Sequence, residues 1–90
     1  MRHVHYSSKF KKDLKRARQR GNNISILKDI IGQLAVDQVL EPKYKDHSLI
    51  GNYAGARECH LAPDWLLIYR YESTDKLILL RTGTHSDLFK

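Results

Sequence analysis

Arg57–Thr82 reads RECHLAPDWLLIYRYESTDKLILLRT, and no other part of the chain says as much about architecture. Three runs rich in β-branched, aromatic and leucine residues, Arg57 to Leu61, Trp65 to Tyr71 and Lys76 to Thr82, are separated by Ala62-Pro63-Asp64 and by Glu72-Ser73-Thr74-Asp75. Links this short join neighbouring strands as hairpins, so the three runs predict an antiparallel meander. Upstream, Pro42, Gly51, Asn52 and Gly55 punctuate an irregular region from about Val39 to Ala56, long enough to read as a functional loop. Before it, Leu27, Ile30, Ile31 and Leu34 recur at helical spacing behind Asn22 and Asn23, whose side chains suit an N-cap, and this helix fades near Asp37. An earlier helix begins at Ser7 and Ser8, carries a stripe of Phe10, Leu14 and Ala17, and runs to about Arg20, with Gly21 where a left-handed C-terminal cap is wanted. His3 to Tyr6 alternates and predicts a first strand. Helices followed by consecutive strands predict an α+β layer, with two N-terminal helices packed on one face of a mainly antiparallel sheet and the other face left as a substrate floor.

The bulk numbers limit the function classes. Ninety residues with 41% hydrophobic content predict one domain over 1–90 resting on one apolar core. Sixteen Lys and Arg against ten Asp and Glu give a net charge of +6, which favours a polyanionic partner. The single cysteine, Cys59, excludes an internal disulfide and fits a reducing compartment. The amino terminus shows no apolar run of signal-peptide or membrane-span length, so the expectation is a cytoplasmic protein with no membrane partner.

Half of the basic residues precede Gly21, among them Lys9, Lys11, Lys12, Lys15 and Arg16, with Asp13 the one acid in that helix. Such a one-sided run predicts a surface that tracks phosphates, in preference to a merely solvated face. Lys43-Tyr44-Lys45 interleaves cations with an aromatic ring, as loops that contact RNA do, although Tyr44 and Tyr53 could equally cover the edge of the core. Among five histidines, His3 and His5 read as a solvent-facing pair, and Cys59-His60 lacks the partner spacing of a zinc site, so no metal and no cofactor are expected. His47, His60 and His85 fall at loop or strand ends and continue no apolar stripe. With Asp64 in a turn and Arg81 late in the last strand, they supply what cleavage of RNA by its own 2'-hydroxyl requires: a base, an acid and a fixed cation.

These residues also fall in blocks that resemble a known family. Asp46-His47-Ser48-Leu49 followed by Gly51 resembles the Asp-His-Pro-Leu-x-Gly segment of YafQ-type toxins of the RelE/ParE superfamily. Arg57-Glu58-Cys59-His60-Leu61-Ala62-Pro63-Asp64-Trp65 is similar to their Arg-(Asp/Glu)-x-His-x-x-Pro-Asp-Trp segment, and Arg81-Thr82-Gly83-Thr84-His85, followed by Leu88-Phe89, to their ending. The resemblance implies a RelE-like fold and a toxin of a type II toxin-antitoxin system that cleaves messenger RNA in the ribosomal A site. Carried over by position, it implies that His47, His60, Asp64 and His85 move protons, that Arg81 steadies the phosphate, and that Trp65 and Phe89 lie near the site, with core packing the competing reading for Trp65. It further implies a DinJ/RelB-like antitoxin as partner, and contact with promoter DNA only through the toxin-antitoxin complex. The competing function is a RelE/ParE-fold toxin that acts by binding gyrase or the ribosome without catalysis, which has no need of a His-Asp-Arg set. Ser48 replaces the family's proline.

Overall fold

In a computed structural model that describes residues 1–89, β3 (Arg57–Ala62), β4 (Trp65–Ser73) and β5 (Lys76–Gly83) form the expected antiparallel meander. Two further strands complete the sheet in the order β1-β5-β4-β3-β2. β1 (His3–Tyr6) runs parallel to β5, pairing His3 with Lys76 through Tyr6 with Leu79. β2 is only His47–Ser48, paired antiparallel to Glu58 and Arg57. A two-residue strand carries no periodicity, which is why the sequence showed a loop there.

The helices α1 (Ser8–Gln19) and α2 (Ile24–Ala35) carry the chain from the β1 edge toward the β2 edge across one face. Their ends follow from local chemistry. Ser7 Oγ accepts the Phe10 N–H at 3.0 Å, and the Asn23 carboxamide oxygen accepts from the Ser25 N–H at 3.1 Å, each satisfying a helix-start donor that would otherwise be orphaned. Gly21 sits at φ +80°, left-handed as α1 ends, where a side chain would be strained.

The pleat then divides β4 between two cores. Trp65, Leu67 and Tyr69 face the helices and pack with Phe10, Ala17, Leu27, Ile30 and Leu34. Leu66 and Ile68 face the other way, against Ala56 and Leu88, with Leu49, Tyr53 and Leu80 partly buried around them. The far face is therefore not the bare floor expected from the sequence. Its middle is covered by the 49–56 loop and by α3 (His85–Leu88), and polar side chains occupy the rest. Among the described residues no helix is long and apolar enough to cross a membrane.

Candidate active site

Glu58 and His60 alternate onto the far face of β3, and the pairing of β2 with β3 sets His47 directly opposite Glu58. Glu58 is buried at 4% exposure, and its Oε1 lies 3.4 Å from His47 Nε2 and 3.3 Å from His60 Nε2. The two imidazole centroids are 6.2 Å apart, and His60 stands edge-on to His85 at 5.7 Å. Three rings thus form a row, and the fold brings His47, His60 and His85 together.

His85 reaches this row because β5 ends at Gly83 and turns at once into α3. Thr84 caps α3 with a reciprocal pair: its Oγ1 accepts the Asp87 N–H while Asp87 Oδ2 accepts the Thr84 N–H. Gly83 is required by this turn, since a Cβ there would come within 2.9 Å of Asp87 Oδ2. Arg20, at the end of α1, donates to the same carboxylate at 2.6 Å and 3.3 Å and ties α3 to the helix layer. Hydrogen bonds from Arg20 and Thr84 hold the Asp87 carboxyl well below the usual carboxylate range.

Asp64, in the β3–β4 turn, accepts from the His85 backbone N–H at 2.9 Å and lies 2.7 Å from Nδ1 of its ring, both through Oδ1. These bonds lower its pKa, backbone first and ring second, and keep it ionised. Holding Nδ1–H leaves Nε2 as the free nitrogen of His85, the orienting task that a carboxylate performs on a histidine in many hydrolytic sites. His47 is held similarly, its Nδ1 2.6 Å from the Lys45 carbonyl.

Arg81, expected as a fixed cation, is held by a carboxylate that the sequence reading did not assign to it. Its Nε and Nη2 donate to Asp13 at 2.6 Å and 3.1 Å, and Asp13 also accepts from Arg16 Nη2 at 2.9 Å and from the Thr82 N–H at 3.1 Å. β1 stops opposite Leu79, so the outer edge of β5 beyond that point has no strand partner among the described residues, and the buried Asp13 carboxylate takes the Thr82 amide in its place. The hydrogen bond to Asp13 raises the Arg81 pKa against the opposing effect of burial. By sheet register, Arg81 lies in one row with Ile68 and Glu58, about 10 Å from Glu58 at two interstrand spacings.

The surface expectations divide. Lys9, Lys11, Lys12 and Lys15 are exposed along α1, and Lys43 and Lys45 along the loop. Arg16 is half-committed, paired to Asp13 and 3.9 Å from Asp87. Phe89 is 45% exposed and packs edge-on to Tyr53 at 5.8 Å and beside His85 at 6.4 Å. Trp65 is corrected: at 5% exposure its ring belongs to the helix-side core, the competing reading, and its indole N–H is buried with no partner among the described residues. Sequence reasoning missed Glu58 and Asp13. Both had a signal, Glu58 lying two residues from His60 and hence on the same strand face, and Asp13 being a lone acid beside the Phe10–Ala17 stripe.

One oxygen or nitrogen from each of Glu58, His60 and His85 lies within 4.8 Å of the others, so these three could hold a transition-metal ion. A family model described as a bacterial toxin of type II toxin-antitoxin systems, YafQ, matches residues 2–90. The mRNA interferase toxin YafQ of Escherichia coli strain K12 is 42% identical over 90 residues, covering 98% of this chain and 96% of the relative. Among solved structures, a copper-bound mutant toxin from Helicobacter pylori superposes with a TM-score of 0.94 at 38% identity, covering 99% and 100% of the two chains. A chain of the E. coli DinJ-YafQ complex superposes at 0.91 and 38% identity, over all of both chains.

Proposed function

The chain belongs to the YafQ family of type II toxin-antitoxin toxins, and from that membership we propose that it is an endoribonuclease that cuts messenger RNA in the ribosomal A site by metal-independent acid-base chemistry. The observation that carries this reading is the row of three imidazoles, 6.2 Å and 5.7 Å apart, flanked by Glu58 and Asp64. A hydrogen bond reaches about 2.6–3.2 Å, so neighbouring rings at this spacing can each touch an oxygen of one phosphodiester.

The roles follow from which nitrogens are free. Asp64 is committed to His85, which leaves His47 as the base that removes the 2'-hydroxyl proton. The proton arrives at Nε2, 3.4 Å from Glu58 Oε1, where a buried carboxylate opposes the charge that uptake creates. His85, aimed by Asp64, protonates the departing 5'-oxygen through Nε2. His60, between them, donates to a non-bridging oxygen as the 2'-oxygen bonds to phosphorus. Arg81 contributes Nη1, the donor not spent on Asp13, to the same charge.

The lysines of α1 position the RNA and ribosome electrostatically without reading sequence. The cognate antitoxin, DinJ- or RelB-like, would neutralise this +6 surface and close the site, acting with the toxin on promoter DNA, and all of this belongs in the cytoplasm. The test is an Arg81→Ala, His85→Ala double variant expressed beside wild type, with message ends mapped by primer extension. Codon-phased cuts by wild type that vanish in the variant, while ribosome association persists, support the reading. Growth or replication arrest by wild type with intact message overturns it in favour of a binding poison.

A further inference from the structure

We propose that a cavity of about 460 Å³ beside His60 is a nucleobase pocket that seats one nucleotide flanking the cut phosphodiester. The proposal rests on the nuclease reading above and names what that site would read. β2 pairs only Arg57 and Glu58, so β3 from Cys59 onward has no strand on that side among the described residues, and the cavity opens along this free edge. Its volume falls within the range of about 300–1,000 Å³ typical of small-molecule sites.

The lining suits a base. Ile26, Leu61, Ala62 and Pro63 give an apolar floor, and Tyr44 supplies an aromatic wall. The rim carries Lys43 and Lys45, and among the described residues no carboxylate lines the space. A nucleotide is a flat ring with apolar faces joined to an anion, and an aromatic wall between two ammonium groups answers both parts. The Lys43 ammonium lies 5.1 Å from the centre of the Tyr44 ring, a position a stacked base would take over while the lysine moves to the adjoining phosphate.

Position in the molecule supports the same occupant. The lysines of α1 and Arg81 lie on the β5 side of the histidine row, and Lys43 and Lys45 on the β2 side, so cations flank the reacting centre at both ends. Lys45 also couples pocket to chemistry. Its backbone is left-handed at φ +49°, and in that conformation its carbonyl fixes His47 Nδ1 at 2.6 Å. A base drawn against Lys45 and Tyr44 would steady the residue assigned as base.

The experiment compares wild type, Tyr44→Leu and Tyr44→Trp on ribosomes programmed with a message library randomised around the A site. Thermal melting of each variant establishes that it is folded. Tyr44→Leu should raise KM by roughly 5- to 150-fold, the equivalent of about 1–3 kcal/mol for one stacked base, and flatten the nucleotide preference at one position beside the cut. Tyr44→Trp should restore both. A non-cleavable 2'-deoxy message bearing iodouridine at that position should photo-crosslink to Tyr44. An unchanged preference in Tyr44→Leu with the crosslink elsewhere overturns the pocket while leaving the nuclease intact. Loss of antitoxin binding without change in message preference also overturns it, and assigns the cavity to the antitoxin. Absence of cleavage by wild type would be a failure of the nuclease reading itself.

Discussion

Replacing Asp13 by alanine tests the claim that a buried carboxylate, not the strand pairing alone, holds the end of β5 and aims Arg81. Four donors converge on Asp13, which is 4% exposed: Arg81 Nε and Nη2, Arg16 Nη2 and the Thr82 amide. Alanine leaves the Thr82 N–H without its acceptor in a residue that is fully buried, which costs about 1–3 kcal/mol. Stripping one partner from a buried ion pair costs about 3–5 kcal/mol when the remaining charge cannot reach water. The Arg81 side chain retains 20% exposure and Arg16 40%, so both can recover part of their hydration and that figure is an upper bound. A total near 3 kcal/mol follows, and for a domain of this size it corresponds to a fall in Tm of roughly 12–24 °C at about 4–8 °C per kcal/mol. Asp13→Asn, which keeps an oxygen for the Thr82 amide, should lose about half as much. Urea and thermal unfolding followed by circular dichroism measure both variants, and a double-mutant cycle with Arg81→Met isolates the pair. A loss below about 1 kcal/mol for Asp13→Ala, or no coupling with Arg81, would refute the reasoning, because the buried acceptor would then be dispensable.

Asp64→Asn removes the charge that orients His85 and should lower kcat for cleavage of ribosome-bound message by about 10²- to 10⁴-fold with little change in Tm, since Asp64 is exposed; an undiminished kcat would remove Asp64 from the mechanism. Asp87, with a depressed folded pKa, contributes stability that is complete above the ordinary carboxylate value near pH 4 and is lost as pH falls through its lower folded value. Asp87→Asn should therefore melt lower than wild type at pH 7 and approach it at pH 2–3 in Tm measurements, a convergence that fails if Asp87 is an ordinary surface acid. Copper or zinc ions should inhibit cleavage by binding Glu58, His60 and His85 and so taking the ring nitrogens from which His60 and His85 donate, and EDTA, at concentrations that leave ribosomes intact, should not abolish it; the opposite pair of responses would make the ion a participant.

What could be read in advance was whatever one segment specifies by itself. The Ser7 and Asn23 caps, Gly21 and the meander from Arg57 onward are local features of pattern and turn chemistry, and they stand where the sequence put them. His47, His60, Asp64 and His85 were legible as residue types at element ends, and the structure draws them together. What stayed hidden depends on segments far apart in the chain. Arg81 is tied to Asp13 across 68 residues, and Arg20 to Asp87 across 67, through contacts no periodicity encodes. α3 escaped notice because four residues cannot show a helical stripe. Trp65 was ambiguous for a different reason: the first residue of a central strand faces a core on either side of the sheet, so hydrophobicity alone does not assign it.

The loop that carries His47 shows how this chain manages without the proline that YafQ-type segments place after the histidine. Proline would restrict the backbone covalently, whereas Ser48 leaves it free to move. Here polar contacts do the restraining. Arg57 donates to Ser48 Oγ at 3.0 Å and to Asp46 Oδ1 at 3.3 Å, and the Tyr69 phenol donates to the same Asp46 oxygen at 2.6 Å. Residues on both sides of His47 are thus fastened to β3 and β4, and burial together with Asp46 raises the pKa of the Tyr69 hydroxyl. Such restraint is softer than a ring, since Arg57 is partly exposed and its bonds exchange with water. Arg57→Met should therefore weaken cleavage more than it lowers Tm, because it frees the imidazole assigned as base while leaving both cores intact. Equal losses in the two measurements would mean that Arg57 supports the sheet and not the site.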